Sequence, residues 1–101
     1  MTDNDMLAFP ALKVPHHPAA IAMLVQPALN ALIGTHMVPV SMTLDMGVSV
    51  DAGESVEVEV KITRRTRTLV FAQARVLKAP GQLAADISTV FRLKSELGPS
   101  N

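Results

Sequence analysis

The sequence predicts an α+β fold in which one long central helix is wrapped by a curved antiparallel sheet of four to five strands. Three observations carry this expectation. The run 18–33, PAAIAMLVQPALNALI, is rich in alanine and leucine, the residues that cost least in a helix. From Val38 to Leu93 most of the chain alternates apolar and polar residues with a period of two, the signature of half-buried strands. Short turn segments separate the alternating runs, and a helix followed by antiparallel strands is α+β by class.

With 101 residues the chain is expected to form a single domain, 1–101. Within it, 1–15 reads as an irregular N-terminal segment and 94–101 as a flexible tail. Leu7–Val14 can run extended, but Pro10 restricts it to an edge or irregular strand. Pro18 suits the first helical position, where a missing N–H costs nothing, and Gly34 stands where a C-terminal cap belongs. Pro27 removes the bond to the Met23 carbonyl, so a kink is expected there. The helix is apolar nearly all round, which implies burial on most sides. Its polar pair, Gln26 and Asn30, shares one face and fits either a satisfied amide pair inside a dimer interface or a remnant binding site.

The first strand after the helix spans Val38–Val50. Val38, Val40, Met42, Leu44, Met46, Val48 and Val50 fall on one face, and Pro39, Ser41, Thr43, Asp45, Gly47 and Ser49 on the other. Asp51-Ala52-Gly53 supplies turn chemistry. Glu54–Thr63 follows with Val56, Val58, Val60 and Ile62 facing in. Arg64–Arg67 reads as a turn, and Thr68–Lys78 as a strand with weaker alternation that fits cover on both faces. After the turn Ala79–Gln82, Leu83–Leu93 is the last strand. Turns this short between long strands imply a meander, each strand beside the next. The helix is the one apolar element free to cover the sheet's apolar face.

Composition narrows the function classes. Hydrophobic residues make up 49% and charged residues 18%, a surplus of apolar surface that implies cover by another chain, in a homodimer or tetramer. Nine basic residues balance nine acidic ones, so bulk charge supplies no attraction for nucleic acid or an anionic membrane, and neither is expected as a partner. The three aromatic residues are all Phe, too few for a base-stacking platform. Without cysteine there are no disulfides, thiolate nucleophiles or cysteine metal sites. His16 and His17 are adjacent and His36 has no acid cluster near it in sequence, so no metal is expected. The acidic start MTDNDML lacks signal-peptide order, and the interrupted apolar run Ala19–Ile33 falls short of the ~20 residues a membrane span needs, so a cytoplasmic protein is expected.

Three stretches carry a family resemblance: HPAAIAMLVQPAL from His17, SMTLDMGVSV from Ser41, and RRTRTLVFAQARVLKAPGQLAADISTVFRL from Arg64. Together they resemble the hotdog-fold acyl-CoA thioesterases, in particular the phenylacetate-pathway type, over roughly residues 16–93. The resemblance implies thioester hydrolysis. In that family a helix carboxylate acts as nucleophile or as base for water. Backbone N–H groups at a His-Gly-Gly helix start polarise the thioester carbonyl, which fits the unpaired donors and positive potential of a helix N-terminus. A Ser or Thr of the following strand, from the partner subunit, assists.

Carried over residue by residue, His17 matches the family histidine, while Pro18 and Ala19 stand in place of the glycines. Nine residues beyond His17, where the family has its acid, this chain has Gln26. A neutral amide is neither nucleophile nor general base. Thr43 matches the assisting hydroxyl, and Asp45, on the same strand face, is the one candidate for a relocated carboxylate. The candidate catalytic set is therefore Gln26, Thr43, His17 and Asp45. Arg64, Arg65, Arg67 and Thr68 match the basic hairpin near which coenzyme A lies in the family, where arginine forks suit phosphate; Thr66 replaces a common glycine. These arginines also fit a merely solvated turn. Met23, Met37, Met42 and Met46 fit either core filling or an adaptable acyl pocket. No cofactor is expected beyond coenzyme A as part of a substrate or ligand. Three functions stay open: a thioesterase with a degenerate site, a non-catalytic acyl-CoA binding module, and a structural subunit of a hetero-oligomer.

Overall fold

The chain was analysed as a computed structural model, which describes residues 5–34, 36–79 and 81–94. Its elements run β1 (Met6–Lys13), α1 (Ala20–Ile33), β2 (Met37–Met46), β3 (Ser55–Arg65), β4 (Leu69–Ala79) and β5 (Gln82–Leu93). The strands form one antiparallel sheet in the order β1-β3-β4-β5-β2, which confirms the α+β architecture with five strands. The expected flexible tail falls, beyond Lys94, outside the described residues.

Alternation places Val56, Val58 and Val60 of β3, and Val70, Ala72, Ala74 and Val76 of β4, on the inner face. Against them α1 buries Ile21, Leu24, Val25, Ala28 and Leu29. Fully burying a Leu, Ile or Val side chain is worth about 1.5–3 kcal/mol, so this one layer of apolar contact dominates the stability. The helix lies over β1, β3 and β4 rather than over the whole sheet. It runs unbroken across Pro27, whose ring sits on the exposed side, where the lost bond to the Met23 carbonyl faces water.

The segment expected to be irregular contains a true edge strand. β1 pairs with β3 from Met6↔Lys61 to Lys13↔Ser55, with its register shift between Phe9 and Leu12, around Pro10. A proline that cannot donate is tolerated at such an edge irregularity.

The simple meander does not hold. β3, β4 and β5 pair in succession, but β2 pairs with β5 at the opposite edge and not with β3. β2 also ends at Met46 rather than Val50. From there the chain turns across the end of the sheet. Gly47 N–H donates to the Ala84 carbonyl (2.8 Å), Val48 N–H to the Leu83 carbonyl (3.0 Å), and Gly53 N–H to the Val14 carbonyl (2.8 Å). Lys78 fastens this crossover through the Ser49 carbonyl at 3.1 Å and Glu54 at 3.5 Å.

The two-residue alternation of β2 is also interrupted. Its register shifts between Pro39 and Ser41, leaving Val40 as a bulge. Met42, Leu44 and Met46 share the helix-side face with Thr89, Ile87 and Ala85, as expected, but Val38 pairs with Arg92 on the outer face. Thr89, the sole buried polar residue among those described, donates its hydroxyl to the Ser41 carbonyl at the bulge (2.8 Å). A second irregularity at Thr63 lets β3 continue through Arg64 and Arg65, so the turn comprises Thr66–Thr68 and not Arg64–Arg67.

Gly47 is the residue the crossover depends on. A β-carbon there would collide with the Leu83 carbonyl oxygen, which is held in the β5 backbone. We expect Gly47→Ala to destabilise the domain by about 1–3 kcal/mol through forced backbone shifts, read from urea denaturation. An unchanged midpoint would show that β2 can leave β5 without this close approach.

Candidate functional site

The helix start is built by His17. Pro18 has no N–H. The Ala19 N–H donates to His17 Nδ1 (2.9 Å), and the Ala20 N–H donates to the His17 carbonyl (3.1 Å). This tight turn is why α1 begins at Ala20 rather than Pro18. Accepting at Nδ1 requires the imidazole nitrogen to be unprotonated, with the proton on Nε2 in the neutral ring. Two backbone donors at the helix start are thus occupied by His17 itself, and Pro18 supplies none. The Ile21 and Ala22 N–H groups are the next available along the helix. In front of them lies a cleft of 280 Å3 between His17, Pro18, Ala20 and Ile21 on one side and Met46–Val50 of the crossover on the other. The crossover's contribution was invisible to sequence reasoning, because alternation placed Gly47–Val50 inside a strand.

Gln26 is half-buried, two turns into α1. Helical geometry sets it on the flank opposite Leu24 and Ala28. Those two, with Phe9, Leu12, Met23 and Pro27, line an apolar cleft of 300 Å3 on the β1 side, so Gln26 faces the β5–β2 side. Asn30 is exposed, and no hydrogen bond joins its side chain to that of Gln26. The expected amide pair is therefore not formed within one chain. No acid occurs anywhere in Ala20–Ile33, and no cluster of metal-binding side chains occurs among the described residues.

Thr43 and Asp45 do share a face, but it is the outer one, away from the helix. Thr43 pairs with Ser88 and Asp45 with Asp86, while Gln73 donates to Asp86 (2.9 Å). Thr43, Ser41, Ser88 and Gln73 line an open depression of 440 Å3 around Phe71 on this surface. Within one chain the fold therefore sets His17 in the turn just before the helix that carries Gln26 and leaves Thr43 and Asp45 on the other side of the sheet.

The methionines separate. Met37 and Met42 pack against the core, whereas Met23 and Met46 are 48% and 65% exposed. Met46 and Leu44, the latter 38% exposed, face the helix side of β2 yet remain uncovered, because α1 lies over the other half of the sheet.

The arginines are also divided by their surroundings. Arg64 lies over the Phe71 ring, 5.6 Å from its centroid. Arg65 bonds to Asp5 at 2.8 Å in an exposed pair, worth at most about 1 kcal/mol. Arg67 has no ion-pair partner among the described residues. Thr66 shapes the turn by accepting from the Leu69 N–H (3.0 Å), and the Thr68 carbonyl accepts from the Leu93 N–H (2.8 Å). The turn thus sits at the far end of the sheet from His17: β3 runs from Ser55, beside Lys13, to Arg65.

The fold is that of solved thioesterases. Mouse thioesterase superfamily member 2 superposes with a TM-score of 0.77 at 21% identity, covering 92% of this chain and 78% of its own. A hypothetical thioesterase from Streptococcus pneumoniae TIGR4, solved with coenzyme A, gives 0.76 at 9% identity over 90% of this chain and 85% of its own. A probable thioesterase from Bartonella henselae gives 0.76 at 12% identity over 93% and 94%. No family model and no curated protein matches the sequence. These likenesses establish the hotdog fold and leave the chemistry to the residues present.

Substituting His17 by Leu removes the acceptor for the Ala19 N–H while keeping apolar bulk. We expect a loss of about 0.5–1.5 kcal/mol in unfolding free energy, the usual worth of one such bond. Equal stability of the variant would mean that water satisfies Ala19 just as well.

Proposed function

We propose that this protein is a cytoplasmic hotdog protein of the phenylacetate-pathway type that binds acyl-CoA thioesters as a dimer or tetramer and hydrolyses them slowly at most. The observation that carries this reading is the composition of the helix site. The helix position at which the resemblance expects a carboxylate carries an amide, Gln26, and the donors at Ala19 and Ala20 are already engaged by His17. An amide can hydrogen-bond a thioester carbonyl or amide group yet cannot take a proton from water at neutral pH. Binding without rapid turnover follows. The pneumococcal structure solved with coenzyme A supports a ligand of this class. Asp45 is a poorer base for the same bond, since it sits on the outer sheet face.

The dimer is supported by β2. This edge strand offers ten residues, with Val40, Leu44 and Met46 exposed and no charged residue except Asp45. An exposed apolar edge is a template for another strand, and a second copy is the partner always at hand. Two-fold pairing along β2 runs antiparallel, so the arginine-bearing end of one copy falls beside the helix start of the other. A single ligand can then span both, which one chain alone does not permit.

Light scattering at micromolar concentration should give a mass of at least two chains, and Leu44→Lys should lower it. A monomeric parent would remove the composite site from consideration. For chemistry, stopped-assay hydrolysis of acyl- and arylacetyl-CoA should be slow in the natural chain. Gln26→Glu should raise it, by as much as the ~10²–10⁴-fold of a positioned base if Ile21 and Ala22 supply the oxyanion donors. Rapid turnover by the natural chain would sink the binding reading. An inert Gln26→Glu variant that still binds thioesters would make it a binder outright, and failure of both proteins to bind any thioester would favour a structural subunit.

A further inference from the structure

Alternation gives the sheet a second face, turned away from α1, and the register sets its residues out in rows. One row reads Glu59, Arg75, Asp86 and Asp45 across β3, β4, β5 and β2. The next reads Lys61, Gln73, Ser88 and Thr43, and the one after it Arg64, Phe71, Val90 and Ser41. Arg92 follows beyond Val90, opposite Leu69. Acids therefore gather toward one end of this face, with Arg75 the one cation among them, and cations toward the other. Between the ends, β4, β5 and β2 present an uncharged middle.

A solvated surface is the dull explanation, since antiparallel sheets commonly keep one face in water. Two features argue against it. Asp45 stands directly opposite Asp86, and like charges in that position destabilise a sheet. Gln73 donates to Asp86 at 2.9 Å, but neither aspartate has an ion-pair partner among the described residues. The uncharged middle is also no ordinary solvated strand surface. Phe71 and Val90 lie half-buried in the depression of 440 Å3 that Ser41, Thr43, Gln73 and Ser88 surround. An aromatic, charge-depleted centre with charges at its margin is the anatomy of a protein interface.

We infer that this outer face is covered by a second copy of the chain, packed back to back with its strands antiparallel to those it covers. In that orientation the Asp45–Asp86 end of each copy lies over the end of the other that carries Arg64 and Arg92, and the two uncharged middles meet. Arg64 is already ordered at this face by the Phe71 ring, 5.6 Å away. Stacking with the strands parallel would set acids over acids and cations over cations, which is costly. Symmetry supplies a second reason, one that rests on the β2 pairing proposed above. A pair joined along β2 has its two-fold axis normal to the sheet. A closed assembly of two such pairs, with their sheets aligned, places antiparallel strands face to face. Charge and closure thus select the same arrangement, a tetramer in which two edge-joined pairs stack through their outer faces.

The chain has no cysteine, so a single introduced thiol reports on its own surroundings. Lys61→Cys, at an exposed position of β3, lies near the middle of the stack, where packed sheets are about 10 Å apart. Across a pair joined only along β2 the same two thiols are seven strand spacings apart, roughly 34 Å. A short bismaleimide should join Lys61→Cys chains in pairs and leave Lys13→Cys chains, changed at the outer end of β1, unjoined. Light scattering at micromolar concentration should give four chains for the parent. Ser88→Lys, which sets like charges near the two-fold axis, should give two chains with an unchanged circular dichroism spectrum. Leu44→Lys should also give two, still joined through Lys61→Cys when the substitutions are combined. Absence of the Lys61→Cys cross-link, or a Ser88→Lys variant that keeps the parent's mass, overturns the inference. A parent of two chains that Leu44→Lys dissociates keeps the edge pair, frees the outer face for some other occupant, and overturns the stack. A parent whose mass falls with Ser88→Lys but not with Leu44→Lys keeps the stack and loses the edge pair.

Discussion

One helix has to cover a five-stranded sheet, and it is too narrow to do so. A helix with its side chains is about 10–12 Å across, whereas five strands spaced about 4.8 Å apart span nearly twice that. α1 settles over β1, β3 and β4, where Val25 and Leu29 are completely buried. In the β5–β2 half, Ile87 and Phe91 are buried in the same core cluster as Val25 and Leu29, whereas the outer edge is not covered. Leu44 and Met46 face inward and stay exposed, and the flank of Gln26 opens toward them. The same shortfall thus leaves open both the β2 edge and the flank of Gln26, the two surfaces on which the proposed function rests.

Much of this was legible in the sequence, for reasons that differ by element. β3 and β5 could be read because their alternation, Val56, Val58, Val60 and Ala85, Ile87, Thr89, Phe91, reports burial directly. α1 could be read because its composition and Gly34 mark both its type and its end. The neighbour of β2 could not be read. Alternation says that a residue run is a strand, but not which strand lies beside it. The clue was Gly47, whose missing side chain permits the approach to Leu83, and an isolated glycine in an alternating run signals a break as readily as a bulge. The bulge at Val40 was hidden for a related reason: it preserves apolar character while exchanging faces, so Val38 and Pro39 trade roles without a change in pattern.

The proposed site can be named in the sequence as residues but not as geometry. Sequence comparison with a family pattern picks out Gln26, His17 and Thr43 by spacing, and spacing along a helix is reliable because the rise per residue is fixed. Gln26 accordingly lies on an accessible flank. Spacing across a strand with a nearby bulge is not reliable in the same way, and Thr43 with Asp45 lies on the outer face. His17 had another role that no pattern conveys. Its ring turns back on its own backbone to accept from Ala19, replacing with a side chain the open turn that glycines would make. The substitution of Pro18 and Ala19 for glycine and the engagement of His17 are parts of one local structure. In this chain an amide at position 26 therefore accompanies backbone donors that are already engaged at the helix start.

Net charge is the coarsest reading of all, because it sums over position. The chain's neutrality gives no bulk attraction for polyanions and says nothing about where its cations lie. Register decides that. Arg92 is far in sequence from Arg64, yet β4 lies between their strands and carries Leu69 opposite the one and Phe71 opposite the other. In the proposed dimer, a two-fold partner paired along β2 would reverse the strand direction and set each basic end beside an acidic one, so the segregation of charge favours antiparallel over parallel association.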